Sequence, residues 1–220
     1  MTSPARPAAR LRLDRVPPRP VRRRSALLAL LLTAVAVGLL APSAHAKEWF
    51  DLDARATTIR WEGFSLRGSH EGTLRAARGW LRRDPAGLLI GGEIVVPLAS
   101  LDVTDIPATD PVPRRRLREH LLAEDFFWAA RHPTARIVVT GATGLGGGRM
   151  RVAARLTMRG VTHPVAFDAA ERVLSDGRLE VRARLRLDRQ RWGVRFDGGR
   201  DLVVRDAFDL DVRLVAAPRV

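Results

Sequence analysis

From residue 47 onward, apolar and polar residues alternate with period two over long stretches. Met150, Val152, Ala154, Leu156 and Met158 point one way while Arg149, Arg151 and Arg155 point the other. Val181, Ala183, Leu185 and Leu187 alternate against Arg182, Arg184 and Arg186, and Phe208, Leu210, Val212 and Leu214 against Asp209, Asp211 and Arg213. Successive strand residues face opposite sides of a sheet, so each run predicts a strand with one buried and one wetted face. Upstream, Ala54 to Gly63 alternates about Ile59 and Trp61, Gly68 to Gly72 reads as a glycine-bracketed turn, and Thr73 to Arg82 returns with Leu74 and Trp80. After a turn at Asp84–Gly87, Leu88 to Pro97 is almost wholly apolar, as in a strand covered on both faces, and Pro97 ends it. Further turns fall at Gly144–Gly148 and Arg159–Gly160, with Val161 to Phe167 continuing as strand. Short strands joined by Gly and Asp turns spell an antiparallel barrel or sandwich.

One stretch breaks this pattern. Leu101 to Pro113, with three prolines and three aspartates, reads as a loop; Asp110 then caps a helix predicted from about Pro113 to Leu122. The chain continues through Asp125-Phe126-Phe127-Trp128 and turns at His132-Pro133 into the strand Thr134 to Thr140. A lone helix carrying three adjacent aromatics has to bury them, and a curved sheet is the only large partner available. The expectation is a plug or rim on a barrel.

Composition adds an appendage at the front. Arginines run through Arg24, an apolar run of 16 residues spans Ala26 to Ala41, and Ala44-His45-Ala46 is a small-x-small cleavage signal. The run is shorter than the ~20 residues a spanning helix needs. Residues 1–46 therefore read as a cleaved secretory signal peptide and 47–220 as the mature barrel domain, periplasmic or secreted. Arg22 to Arg24 could feed a twin-arginine route, but Ala26 stands where such signals carry a bulky apolar residue. With no cysteine in the 220 residues, export brings no disulfides and the core must hold the fold unaided.

The formal charge of +14 divides unevenly: the leader holds 8 arginines and 1 aspartate, which leaves +7 for the mature part. There the arginines mostly alternate with apolar residues along strands, which places them on a solvated face rather than in the basic, aromatic-studded patch of a nucleic-acid binder. Weak attraction to anionic lipid headgroups suits them better. An outer-membrane barrel would put arginine in its lumen and need aromatic girdles, yet tyrosine is absent and aromatics make up 5%. The apolar faces should then line the interior of a soluble barrel. With about eight strands such an interior either fills with side chains or holds one slim ligand; periodicity leaves both open.

Four stretches together resemble the YceI-like family of exported, lipocalin-like barrels. They are Leu122 to Phe127 with His132-Pro133-Thr134-Ala135, Leu156 to Val165 (LTMRGVTHPV), Leu187 to Val194 (LDRQRWGV), and the closing strand Val204 to Leu214; Gly68-Ser69-His70-Glu71-Gly72 is similar to the family's GxHxG variant. The resemblance implies an all-β, eight-stranded antiparallel lipocalin-like barrel with one helix at the mouth, holding an elongated apolar ligand of polyisoprenoid type. The segment between Trp192 and Asp206 is short for the family and contains Gly198-Gly199. Expected tail contacts are the inward apolar residues Trp61, Phe126, Phe127, Val152, Leu156, Val165, Phe167 and Leu210, with Phe126 and Phe127 on a helix able to act as a lid.

Other chemistry is sparse. His70, His120, His132 and His163 share no ligand spacing, so no metal is expected. Asp188 and Arg189 read either as a headgroup clamp or as a structural ion pair closing a turn, the latter preferred. Glu124 and Asp125 are adjacent and do not face each other, and no G-x-S-x-G frames Ser65 or Ser69. The reading is an exported binding or carrier protein without catalysis. No cofactor is expected beyond a bound isoprenoid lipid or quinone-like ligand. The partners are such a lipid or another long-chain lipid and, transiently, an anionic membrane surface; a homodimer stays open. Two other readings remain: a lipid-acting hydrolase or isomerase using His70 or His163, and a structural or stress-response protein with a filled core.

Overall fold

The period-two runs fold into strands in a computed structural model that describes residues 47–198 and 203–219. The leader expected at 1–46 lies outside the described residues. Before the helix come β1 (Glu48–Leu52), β2 (Thr58–Ser65), β3 (Gly68–Leu74), β4 (Arg78–Arg83), β5 (Leu89–Pro97) and β6 (Asp102–Val103). The helix α1 spans Pro111–Leu122. After it come β7 (Thr134–Gly146), β8 (Arg149–Met158), β9 (Val161–Val173), β10 (Leu179–Asp188) and β11 (Val204–Pro218).

These segments make eight strands, because three long strands are each interrupted by a bend. β11 pairs with β2 over Val204–Arg213 and with β1 over Ala216–Pro218, so β1 and β2 are two halves of one strand. β3 and β4 pair with β2 and β1 in the same way, and β6 and β5 with β3 and β4. The meander continues from β5 through β7, β8, β9 and β10 to β11, all antiparallel, and the return of β11 to β1 closes the ring. Among the described residues this is a closed eight-stranded antiparallel barrel with one α-helix, as the resemblance implies, and it decides between the barrel and the sandwich that alternation left open. At the helix end, β6 has no second strand partner; α1 lies against it instead.

Each bend has a local cause. Where the chain leaves the sheet at 53–57, Thr57 supplies the missing ladder: its Oγ1 accepts from the Val215 N–H at 3.1 Å, and the Asp53 N–H donates to the Val215 carbonyl at 2.8 Å. At 75–77, Ser100 Oγ accepts from the Arg75 N–H at 3.0 Å. Ser100 belongs to the single 3-10 turn Leu98–Ser100 that separates β5 from β6. Hydroxyls thus satisfy backbone groups that a smooth strand would have paired.

Two sequence expectations need correction. Gly68 to Gly72 is strand, not turn: the reversal is confined to Leu66-Arg67, and His70 pairs with Gly63 and Gly72 with Trp61. Gly72 is glycine because a Cβ there would lie 1.9 Å from the Asp102 carbonyl and 2.7 Å from the Trp61 ring. Its cause is close packing within a ladder, which a list of turn-forming residues cannot distinguish from a turn. The helix begins two residues earlier than expected, with Pro111 at its first position, where the missing N–H costs nothing. Asp110 occupies the capping position but its side chain makes no capping hydrogen bond.

The inward faces match the alternation: Met150, Val152, Ala154, Leu156 and Met158 are all buried. Outward arginines pair with carboxylates on neighbouring strands, as in Arg184–Asp211 at 2.9 Å and Arg151–Asp168 at 2.8 Å. At the end away from α1, Arg83 on β4 reaches Glu171 on β9, four strands round the ring, at 3.3 Å. Burial pushes the Glu171 carboxyl up while Arg83 pulls it down.

Glu180 on β10 is the most enclosed charge. It faces outward, yet Arg172, Arg182 and Arg213 cover it so fully that its side chain is 1% exposed. The bond from Arg172, then those from Arg182 and Arg213, outweigh desolvation and hold its pKa down to about 2 against 4.5 for a free glutamate. Because the folded value is the lower one, this stabilisation is complete above pH 4.5 and is lost as pH falls toward 2. The gap corresponds to at most about 3 kcal/mol, less at high salt because the guanidinium groups are solvated. Glu180→Gln should therefore lower unfolding free energy by about 1–3 kcal/mol at neutral pH. In urea melts, the wild-type–variant difference should shrink between pH 4.5 and 2; a pH-independent difference would contradict this account.

Candidate functional site

The inward side chains do not meet at the centre. They leave a chamber of about 300 Å³ that runs under α1 and reaches the helix-bearing rim. Its walls are Ile59 and Trp61 on β2, Val152 and Leu156 on β8, Phe167 on β9, Val181 to Leu187 on β10, and Phe208 to Leu214 on β11. Of the expected tail contacts, Trp61, Phe126, Phe127, Val152, Leu156, Phe167 and Leu210 all line it. Val165 does not. It faces inward but packs in a filled corner with Ala154, Leu185, Leu187 and Trp192. Trp192 causes this filling: fully buried, it donates its indole N–H to the Leu156 carbonyl at 3.1 Å and occupies the space its neighbours would otherwise leave.

The rim is built by α1 and the segment after it. Leu117 and Leu121, one helical turn apart, face the chamber. Arg118 donates to the carbonyls of Leu101 and Ala99 at 2.8 and 2.7 Å, and Arg114 reaches Asp102 at 2.7 Å, which fastens the helix along β6. Trp61 is fixed from below, its indole N–H on the Asp102 carbonyl at 3.1 Å. Phe126 and Phe127 are not on the helix, as expected, but in the turn that follows it. Their rings, 5.3 Å apart, point into the chamber. Trp128 turns away, in the left-handed region at φ 50°, and stacks on His132, Arg131 and Arg159. All three aromatics end up half-buried, the two phenylalanines toward the chamber and Trp128 against its arginine and histidine neighbours.

Arg159 holds this turn down. It lies in the tight β8–β9 reversal with Gly160, and its guanidinium donates to the carbonyls of both Glu124 and Phe126. Gly160 has φ 76°, and a Cβ there would stand 2.8 Å from the His132 ring, so turn geometry and packing both demand glycine.

Around the mouth, His120 clusters with Phe126 and Phe196, ring centroids 5.5 and 4.4 Å away, with Asp125 at 3.5 Å. His70 pairs through Nδ1 with Asp105 at 2.7 Å, and Asp105 is itself held by the Glu71 N–H. Arg189 is buried; it donates to the carbonyls of Val194, Val204 and Arg205 and pairs with Asp206 at 3.1 Å. The expected Asp188–Arg189 pair does not form: Asp188 instead accepts from the Gln190 N–H and caps the 3-10 turn Arg189–Trp192. Neighbouring residues leave the chain in different directions, so Arg189 finds its carboxylate on β11. His163 donates to the Arg191 carbonyl at 2.8 Å and has no carboxylate partner among the described residues. Ser65 also lines the rim, but its hydroxyl donates to the Gly68 carbonyl. Among the described residues no cluster of three or more His, Cys, Asp or Glu could hold a metal ion.

Phe64, Phe196, Phe208, Leu117, His70 and His120 also line the chamber and were missing from the expected contacts. Phe208 and Leu117 were legible from strand and helix spacing. Phe196 was not, because it lies in an irregular segment with no period.

A closed eight-stranded meander barrel with an apolar interior opening at one rim is a lipocalin-like binding architecture. The chain belongs to the YceI-like family: the model of the YceI-like domain matches residues 50–216. Two solved structures share the fold. BcnA of Burkholderia cenocepacia is 19% identical, with a TM-score of 0.62 over 76% of this chain and 99% of that one. A polyisoprenoid binding domain from Saccharophagus degradans, implicated in plant cell wall breakdown, is 18% identical, with a TM-score of 0.57 over 77% and 98%. No curated protein matches the chain.

If Arg159 clamps the aromatic turn, Arg159→Ala should cost about 1–2 kcal/mol and raise amide exchange in residues 123–133 more than in β8 or β9. Hydrogen-exchange mass spectrometry reads this directly. Equal changes across the barrel would mean that Arg159 is not a local clamp.

Proposed function

We propose that this protein is an exported lipid carrier that shelters the apolar tail of an elongated isoprenoid-type lipid in its barrel and does no chemistry on it. The observation that carries the reading is the chamber: apolar walls, about 300 Å³, continuous with an aromatic mouth. That volume sits at the low end of the roughly 300–1,000 Å³ of small-molecule sites. A flexible tail entering it gains about 0.8 kcal/mol per buried CH₂. The polyisoprenoid binding domain from Saccharophagus degradans shares this barrel, which supports an isoprenoid tail over a flat or polar ligand. Export is supported by the apolar run Ala26 to Ala41 and the Ala44-His45-Ala46 site.

Transient docking on an anionic membrane belongs to the same reading. Leu66 and Val203 are 70% and 47% exposed beside the mouth, joined by the Leu66 N–H to Val203 carbonyl bond, with Arg67 and Arg205 next to them. Apolar tips flanked by arginine suit a surface of anionic headgroups.

Protein purified from a membrane-containing lysate should carry a prenyl lipid at near one equivalent, measured by solvent extraction and mass spectrometry; finding none would sink the reading. Ala183 lines the chamber on β10. Ala183→Phe should cut bound lipid about tenfold while changing stability by less than about 1 kcal/mol, whereas overpacking a filled core would cost about 1–3 kcal/mol. Thermal melts beside lipid counts separate the two.

A further inference from the structure

We infer that the mouth selects an anionic, phosphate-class headgroup, and that His70, His120 and Arg205 are the residues that recognise it. The inference rests on the lipid-carrier reading and adds the chemistry of the end that stays outside the chamber.

The observation is one of sign. Among the described residues, five ionisable ones line the chamber and its mouth, His70, His120, Arg136, Arg189 and Arg205, and every one is a base; no described aspartate or glutamate is among them. This is not a consequence of an arginine-rich chain, because the carboxylates are close by and turned away. Asp105 stands behind His70 at 2.7 Å, Asp125 beside His120 at 3.5 Å, Asp206 behind Arg189 at 3.1 Å, and Glu93 takes Arg136 at 2.7 Å. Arg136 and Arg189 are spent on these partners and on backbone carbonyls. The histidines are not spent in the same way. Each uses Nδ1 toward a carboxylate, so Nε2 is the ring nitrogen left for a ligand. When protonated, a ring placed in this manner donates through both nitrogens, one toward the carboxylate and one to an incoming oxygen; the neutral ring keeps only a lone pair at Nε2. At His70 the 2.7 Å hydrogen bond to Asp105 also fixes the ring's orientation.

The two histidines come from different elements, β3 and the last turn of α1, yet line one opening. Phe126 and Phe196 both pack edge-on against the His120 ring. Arg205 lies at the start of β11, on the same rim. His70, His120 and Arg205 thus bring basic side chains from three elements to the edge of one apolar throat, suited to several oxygens of one group. A neutral alcohol offers a single oxygen and no charge, and gains much less from it.

The test compares farnesyl phosphate with farnesol, tails of equal length, by titration calorimetry on the mature protein, with inorganic phosphate alone as a third arm. Farnesyl phosphate should bind at least about tenfold more tightly than farnesol, the size expected of one or two charge-assisted hydrogen bonds. In His70→Gln/His120→Gln and in Arg205→Gln that ratio should fall toward one, with folding checked by circular dichroism. His120→Gln alone provides a second measurement should the double variant not fold. Equal binding of the two lipids by wild type would overturn the headgroup inference and leave the carrier reading standing. Failure of both lipids to bind would overturn both. Inorganic phosphate binding as tightly as farnesyl phosphate would make the mouth a free-anion site and overturn its assignment to a lipid.

Discussion

Closure of the sheet through β11 is the constraint on which the rest depends. One face of β10 and β11 is apolar, and a sheet with that pattern must either stack on another sheet or curl until the face meets itself. Here β11 pairs with β2 at Val204 and over Phe208–Arg213 and with β1 over Ala216–Pro218, with Thr57 standing in where the two segments part. Closure satisfies the backbone of both terminal strands, but it also sets the circumference. Eight strands enclose more room than their inward side chains occupy, and the surplus is the chamber.

How the surplus is distributed depends on a few side chains. Trp192 fills the corner beneath β8, β9 and β10, which converts Val165 and Ala154 from cavity wall to ordinary core. The Arg83–Glu171 pair spans the far end. At the near end no strand continues β6, so helix and aromatic turn cover the opening instead of sealing it. They are held by arginine hydrogen bonds to carbonyls and by an apolar cluster of Leu117, Leu121, Phe126 and Phe127 with Leu101 and Val103.

Arginine serves three purposes that composition alone runs together. On the outer face it pairs across strands with carboxylates and encloses Glu180. At Arg114, Arg118 and Arg159 it fastens the helix and its following turn. Around the mouth it adds to a basic rim. Side chains able to make several fixed donor bonds suit all three tasks.

Period-two alternation settled the strands, their faces and the tight reversals at Arg159–Gly160, and the chain's one strong helical stretch was legible from the aromatic-rich break in that pattern. The motifs were sufficient to place the chain in its family. Gly72 misled, because a glycine demanded by the Trp61 ring looks like one demanded by a turn. The division between Val165 and its neighbours Leu156 and Phe167 lay beyond the pattern altogether. Alternation reports which face leaves water, not what that face meets, and a packed core and a hollow wall call for the same residues. The hollow, the sign of its mouth and the role of Trp192 were decided only when strands distant in sequence closed around a fixed volume.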